Sequence, residues 1–221
     1  MKRKIITTGD GSKTIQIEGW DEQYHSKHGA VQEAYHVFIE HGLRLFQNEE
    51  IDLLEVGFGT GLNALITLAE APKHDLNVNY VGVEAYPVSM EEVAALQYCV
   101  QLGFDDKKGA FQKMHNSSWE KTITITPDFS LLKQKRDFRE VDEENLFNLI
   151  YFDAFGARVQ PELWTEEIFL KMFRALKPNG ILVTYAAKGS VRRAMQAVGF
   201  TVERLQGPPG KREMLRATKP V

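Results

Sequence analysis

The 221-residue sequence holds a single cysteine, Cys99, so no internal disulfide can form and the fold must be held by its core. No apolar run approaches the ~20 residues that cross a bilayer, which excludes a membrane-spanning helix. The six histidines are scattered, and none pairs with Cys99 or with carboxylates at a convincing ligand spacing, so no metal is expected. Residues 1–13 lack the apolar core of a secretion signal, and with the lone thiol this predicts a cytoplasmic protein. There is no repeat or low-complexity tract, and 43% hydrophobic against 26% charged residues excludes wholesale disorder. Residues 1–221 are expected to form one domain, with an N-terminal arm at about 1–23 and a hairpin insertion within about 111–139.

The formal net charge of −3 conceals an asymmetry. From Lys171 to Val221, eleven Lys and Arg face two acids, Glu203 and Glu213, a balance of +9 that leaves −12 on the first 170 residues. A chain divided this way either offers a basic face to a phosphate-bearing partner or carries lysine-rich solvated helices.

Apolar spacing predicts the elements. The start, through Ile15-Gln-Ile17, reads as a short polar hairpin, and Val31, Ala34, Tyr35, Phe38 and Ile39 recur at helical spacing in a segment running from Tyr24 to Gly42. Residues 51–56 form an apolar strand that ends in Gly57-Phe-Gly-Thr-Gly61, after which Leu62, Leu65, Ile66 and Ala69 mark a helix, the opening of a βαβ unit. Residues 78–83 repeat the strand signal and stop at Glu84, and 88–102 supply a helix. The stretch 111–139 is ambiguous: 111–114 reads as a short strand, whereas 122–126 and 129–134 around Pro127-Asp128 read as a hairpin whose second arm enters the main sheet. Alternation resumes with a strand at 146–152 ending at Asp153, a helix at 165–176 stopped by Pro178-Asn-Gly180, a strand at 181–185 and a helix at 190–198. Residues 200–205 and 213–217 close the chain as an antiparallel pair around Gly207-Pro-Pro-Gly210. The pattern predicts an α/β fold with a mostly parallel sheet covered on both faces and an antiparallel hairpin at its edge.

The glycine turn follows a strand and opens a helix, the context of a nucleotide-binding turn. Its G-x-G-x-G spacing fits neither the dinucleotide fingerprint nor a P-loop. Glu55, two positions before Gly57, suits an amine or a sugar better than a pyrophosphate, and Glu84 ends the next strand where a carboxylate accepts both ribose hydroxyls. Together they resemble the cofactor site of S-adenosylmethionine-dependent methyltransferases with a Rossmann-like fold. Asp153 ends the longest apolar strand, at the edge where ligands collect, and Phe155 and Trp164 offer faces for a flat substrate. A carboxylate there can orient an amine and receive the proton lost on methylation. The basic groups Arg192-Arg193 and Lys211-Arg212 are placed by this topology near the same edge, within reach of a phosphate backbone.

Residues from about Tyr24 onward are similar to a more specific family. His28-Gly29, Tyr35-x-Val-Phe38, Gly57 to Asn63, Asp153-x-Phe155 running to Pro161-Glu-Leu-Trp164, Val191-Arg-Arg and Gly210-Lys-Arg-Glu-Met214 resemble the methyltransferase half of the MnmC-type bifunctional tRNA wobble-uridine enzymes, and their stand-alone relatives without an FAD oxidase. The resemblance implies methyl transfer from S-adenosylmethionine to the 5-aminomethyl group of wobble uridine in tRNA. It implies Asp153 as the catalytic acid-base residue. Glu55, Gly57, Phe58, Gly59, Thr60, Gly61 and Asn63 would lie around the methionine part of the cofactor and Glu84 at its ribose. For the adenine it implies Asp137 with Phe138 if 129–134 is the third strand, or Asn116 or Ser117 if 111–114 is. Lys211 and Arg212 would stand near the anticodon, with Arg192 and Arg193 as second candidates. Two positions depart from the family, Ala154 where Gly is frequent and Ala157 where Pro is frequent, so a differently shaped loop is expected. A methyltransferase for a small molecule or protein, and a non-catalytic nucleotide-binding protein, are the competing readings.

Overall fold

The computed structural model describes residues 2–19 and 22–221; Met1, Trp20 and Asp21 of the expected arm lie outside them. Strands β1 (Arg3–Thr7), β2 (Lys13–Ile17) and β3 (Glu22–Gln23) form a small antiparallel sheet. Residues 24–29 run without regular structure into α1 (Ala30–Ala34), which continues as a π-helical segment, Tyr35–Glu40. The helix expected in the segment from Tyr24 therefore starts only at Ala30. Glu33 accounts for the delay, because its carboxylate turns back to accept the Ser26 amide at 2.9 Å and holds the preceding residues out of the helix.

The main sheet begins with β4 (Glu50–Val56), α2 (Leu62–Glu70) and β5 (Asn77–Val83). The predicted 88–102 helix is broken into α3 (Met90–Leu96) and α4 (Tyr98–Gln101) at Gln97, whose φ of 56° lies in the left-handed region. Residues 111–114 are not a strand but the middle of α5 (Lys108–Asn116), where Phe111 and Met114, three apart, face the core while Gln112 and Lys113 are exposed. The hairpin reading is the correct one: β6 (Ile123–Thr126) and β7 (Phe129–Gln134) pair antiparallel, and β7 lies parallel to β5. There follow β8 (Phe147–Phe152), α6 (Glu166–Ala175), β9 (Leu176–Thr184), α7 (Gly189–Ala197), β10 (Thr201–Gln206) and β11 (Glu213–Thr218). Pro178-Asn-Gly180 does not precede β9 but interrupts it: Leu176 pairs with Phe147, the register shifts, and pairing resumes at Leu149 and Ile181.

The order is β10-β11-β9-β8-β4-β5-β7-β6, with β7, β5, β4, β8 and β9 parallel and the β10–β11 hairpin antiparallel at one edge. Alternate residues of the central strands feed two cores. Leu53, Leu149, Tyr151 and Val183 pack with Phe38 and Leu65 on one face, and Leu54, Ile150, Phe152 and Leu182 pack with Phe169, Met172 and Met195 on the other. Both faces are buried, which is why these strands read as continuous apolar runs.

Candidate active site

The chain leaves β4 toward β5 and β7 on one side, and β8 leads to β9 on the other, so β4 and β8 meet at the point where the winding reverses. Open α/β sheets bind ligands beyond the strand tips at such a crevice. Gly57 follows β4 with φ +97°, and a Cβ on it would lie 2.7 Å from the Asp153 carbonyl oxygen at the tip of β8. The Gly57 and Phe58 amides both donate to the Val83 carbonyl at 3.0 Å, tying the turn to β5. From β5 the Glu84 carboxylate answers by accepting the Gly59 amide at 3.0 Å and the Tyr86 amide at 2.8 Å. Burial pushes Glu84 above its ordinary value despite those donors.

Behind the turn, one side chain joins the two strand tips. The Asn63 amide nitrogen, on α2, donates to Glu55 Oε1 at 2.9 Å and to Asp153 Oδ2 at 2.9 Å, while Tyr80 OH donates to Glu55 Oε2 at 2.7 Å. Glu55 is 1% exposed, and burial raises it well above the carboxylate range. The Asn63 carbonyl oxygen is buried with no hydrogen-bond partner among the described residues. Burial and then the charge of Glu33 push the Asp153 carboxyl up to about 7, against the Asn63 hydrogen bond and Lys211.

These groups open on a cavity of about 380 Å³. Glu55, Gly57, Phe58, Gly59, Thr60, Glu84, Asp137, Phe138, Asp153, Phe155 and Lys211 all line it, so most of the residues singled out from the sequence converge. Gly61 and Asn63 lie behind this lining, at the cap and in the first turn of α2. Asn116 and Ser117 are not in the lining, whereas Asp137 is. The Asp137 carboxylate is engaged by Arg139, accepting its Nε at 2.9 Å and its second guanidinium nitrogen at 2.8 Å, which holds it below its usual range.

Trp164 is not a cavity wall. It is 5% exposed, edge-on to Phe152 at 5.1 Å, and its indole N–H donates to the Phe155 carbonyl at 2.8 Å, so it supports Phe155 from the core. Arg192, Arg193 and Arg212 are also outside the lining. Lys211 turns inward: its ammonium pairs with Glu33 Oε1 and sits 3.8 Å from the Tyr185 ring centroid.

Residues 24–28 cover the cavity, with the Tyr24 ring edge-on to Phe155 at 5.0 Å and close enough to Gly59 to leave 3.0 Å for a Cβ. Gly210 packs on the His28 ring, where a Cβ would lie 2.5 Å away. Tyr24, His28, Glu33 and Tyr185 were not expected in the site. The only local signal for Glu33 is an acid on an otherwise apolar helix face, and for Tyr185 its place at a strand tip.

A family profile described as S-adenosyl-L-methionine-dependent methyltransferase matches residues 111–220. Over 96% of its length the chain is 28% identical to the tRNA 5-methylaminomethyl-2-thiouridine biosynthesis bifunctional protein MnmC of Actinobacillus pleuropneumoniae serotype 5b, and over 95% it is 29% identical to that of Magnetococcus marinus. It spans about a third of the length of these curated relatives, 34% in both cases. Among solved structures, MnmC2 from Aquifex aeolicus aligns with a TM-score of 0.73 at 23% identity, over 98% of this chain and 69% of that one. Spermidine synthase from Thermotoga maritima aligns at 0.62 and 18% identity, over 98% and 68%. At these identities the two likenesses concern the fold.

Proposed function

We propose that the chain is an S-adenosyl-L-methionine-dependent methyltransferase, as the profile match over residues 111–220 supports, and that it transfers a methyl group to the amine of 5-aminomethyl-uridine at the wobble position of tRNA. The observation that carries this reading is a half-buried carboxyl, Asp153, at the tip of β8, steadied by Asn63, lining the cavity and pushed up to about 7 by desolvation.

The cavity suits the cofactor. Gly57 leaves backbone free where a side chain would collide with the Asp153 carbonyl, Gly59 leaves room for little more than hydrogen beside Tyr24, and the buried Asn63 carbonyl lacks a donor among the described residues. Burial raises the Glu55 carboxyl well above its ordinary value, and a cationic amino group placed beside it would favour its carboxylate form. Each Glu84 oxygen accepts one amide and keeps a lone pair for a ribose hydroxyl. Asp137 and Phe138 are assigned to the adenine, with Arg139 orienting the carboxylate. When bound, S-adenosylmethionine supplies an electrophilic methyl carbon on a cationic sulfur, which departs as a neutral thioether.

The protein's task is to present a neutral nitrogen. A primary alkylamine, with a pKa near the ~10.4 of lysine, arrives as an ammonium whose lone pair is occupied by a proton. Asp153 accepts that ammonium's hydrogen bonds and takes one proton, freeing the lone pair to form the new carbon–nitrogen bond. A carboxyl near 7 suits proton transfer at neutral pH. Asn63 fixes the position of the carboxylate, so the amine is held in one orientation.

For the nucleic acid, the strand order brings the loop before β11 and the start of α7 to the same carboxyl edge as Asp153, because β11 runs antiparallel to β9. With Lys211 turned inward, the phosphate contacts are assigned to the exposed Arg193 and Arg212. A tRNA substrate places the reaction in the cytoplasm. Methyl-labelled S-adenosylmethionine with tRNA carrying the aminomethyl precursor is expected to put label into the wobble nucleoside, read by mass spectrometry. Label confined to protein or small molecules would reject the reading. Replacing both Arg193 and Arg212 with Ala is expected to lower the slope of log K against log salt by roughly 1.4 to 1.8, with cofactor affinity unchanged by calorimetry.

A further inference from the structure

Lys211 lies inside the cavity wall, yet its ammonium is already committed on two sides. It pairs with Glu33 Oε1 and rests 3.8 Å above the centroid of the Tyr185 ring. Glu33 is held in turn by the Ser26 amide at 2.9 Å, and the Tyr185 hydroxyl donates to the carbonyl of Ala154, the neighbour of Asp153, at 2.8 Å. Three segments far apart in sequence, 26–33, 154–185 and 207–212, are thereby clasped around one cation beside the Asp153 carboxyl.

We propose that Lys211 and Glu33 form a charge couple that positions and balances Asp153 for a cationic amine, with Lys211 a positioning residue for the carboxylate and Glu33 the restraint that keeps Lys211 from closing on it. This rests on the reading of Asp153 as proton acceptor. Charge counting supports it. Of the two charged side chains that act most on Asp153, Glu33 is negative and Lys211 positive, so they offset one another and leave the Asp153 carboxylate to be matched by a substrate ammonium. Without Glu33 the Lys211 ammonium would be free to occupy the place of the substrate amine.

The groups around Asp153 come from several elements: Asn63 of α2, Glu55 at the end of β4, with Glu84 of the β5 end beyond it, Glu33 of α1, Tyr185 after β9, with Glu22 beyond it, and Lys211 before β11. Lys211 is the cation among those that act on Asp153, and it lowers the carboxyl's pKa, whereas Glu33 raises it. Loss of one charge from each side should therefore act in opposite directions, which loss of packing would not do.

The test is a titration of the Asp153 carboxyl by NMR on protein labelled with [13C]aspartate, assigned with Asp153→Asn, beside the pH profile of single-turnover methylation. Lys211→Met should move the Asp153 titration and the acid limb of the profile up by about one unit. Glu33→Gln should move both down by a similar amount and raise KM for the aminomethyl tRNA several-fold, while Lys211→Arg should stay near wild type. Combined, Lys211→Met and Glu33→Gln should largely cancel. An NMR titration unmoved in both single variants, or moved the same way in both, overturns the couple even if Asp153→Asn is inactive. An NMR titration that moves as stated while Asp153→Asn still turns over upholds the couple and overturns instead the role of Asp153 as base.

Discussion

Asp153→Asn is expected to lower turnover by about 10²–10⁴-fold, the range supplied by a positioned general base, and to leave cofactor affinity within about twofold. The amide is the same size as the carboxyl and keeps an oxygen to accept the Asn63 hydrogen bond, so the tip of β8 should stay in place. It cannot take a proton. In the unmodified protein, activity should rise with pH through about 7, where the carboxyl ionises. Stability should move the other way. The folded protein holds this proton more tightly than the unfolded chain, whose carboxyl titrates near 3.8, so between about 4 and 7 the folded state binds more protons and stability falls as pH rises. Asp153→Asn removes that penalty, and the inactive variant should melt at a higher temperature than wild type at pH 8, with the two curves converging toward pH 4. Rapid-quench turnover, titration calorimetry and melts at several pH values read the three effects. Equal loss of turnover and cofactor affinity would make Asp153 a folding residue.

Gly57→Ala carries the second large effect. At φ +97° a side chain is strained, and the added methyl would lie 2.7 Å from the Asp153 carbonyl oxygen, which is backbone and cannot swing away. Either β4 and β8 part at their tips or the turn leaves the Val83 carbonyl that holds it. The expected cost is about 3 kcal/mol of folding stability by urea titration, with cofactor affinity falling at least about 100-fold. Gly103→Ala is the control: φ is +67°, nothing among the described residues lies within 4 Å of the added methyl, and only the conformational cost of about 1–2 kcal/mol applies, with binding intact. Comparable loss of binding in both variants would trace it to general destabilisation.

The core of the site was legible before the fold because its signals are local. A strand buried on both faces reads as an apolar run, a glycine turn at its end is written in consecutive residues, and acids at strand tips, Glu55, Glu84 and Asp153, follow from where those runs stop. The same logic resolved poorly where local pattern is degenerate. Phe111 and Met114, at spacing three, fit one face of a helix, but a four-residue window does not separate that from a strand, and only packing of α5 beside β6, with the Lys133 ammonium of β7 donating to the His115 carbonyl, decides it.

The sequence by itself determined the alternation of the central strands and their helices, the glycine turn and the acids that end the strands, since each depends on neighbours within a few residues. The tertiary structure alone decided which way the long side chains point. Trp164 went to the core because Phe152 and Phe169 of the same layer needed a partner, and its N–H found the Phe155 carbonyl. Lys211 went inward because Glu33, 178 residues earlier, offers a buried carboxylate there. No sequence window spans such a pair, and a charged group takes whichever counter-charge the completed fold places within reach.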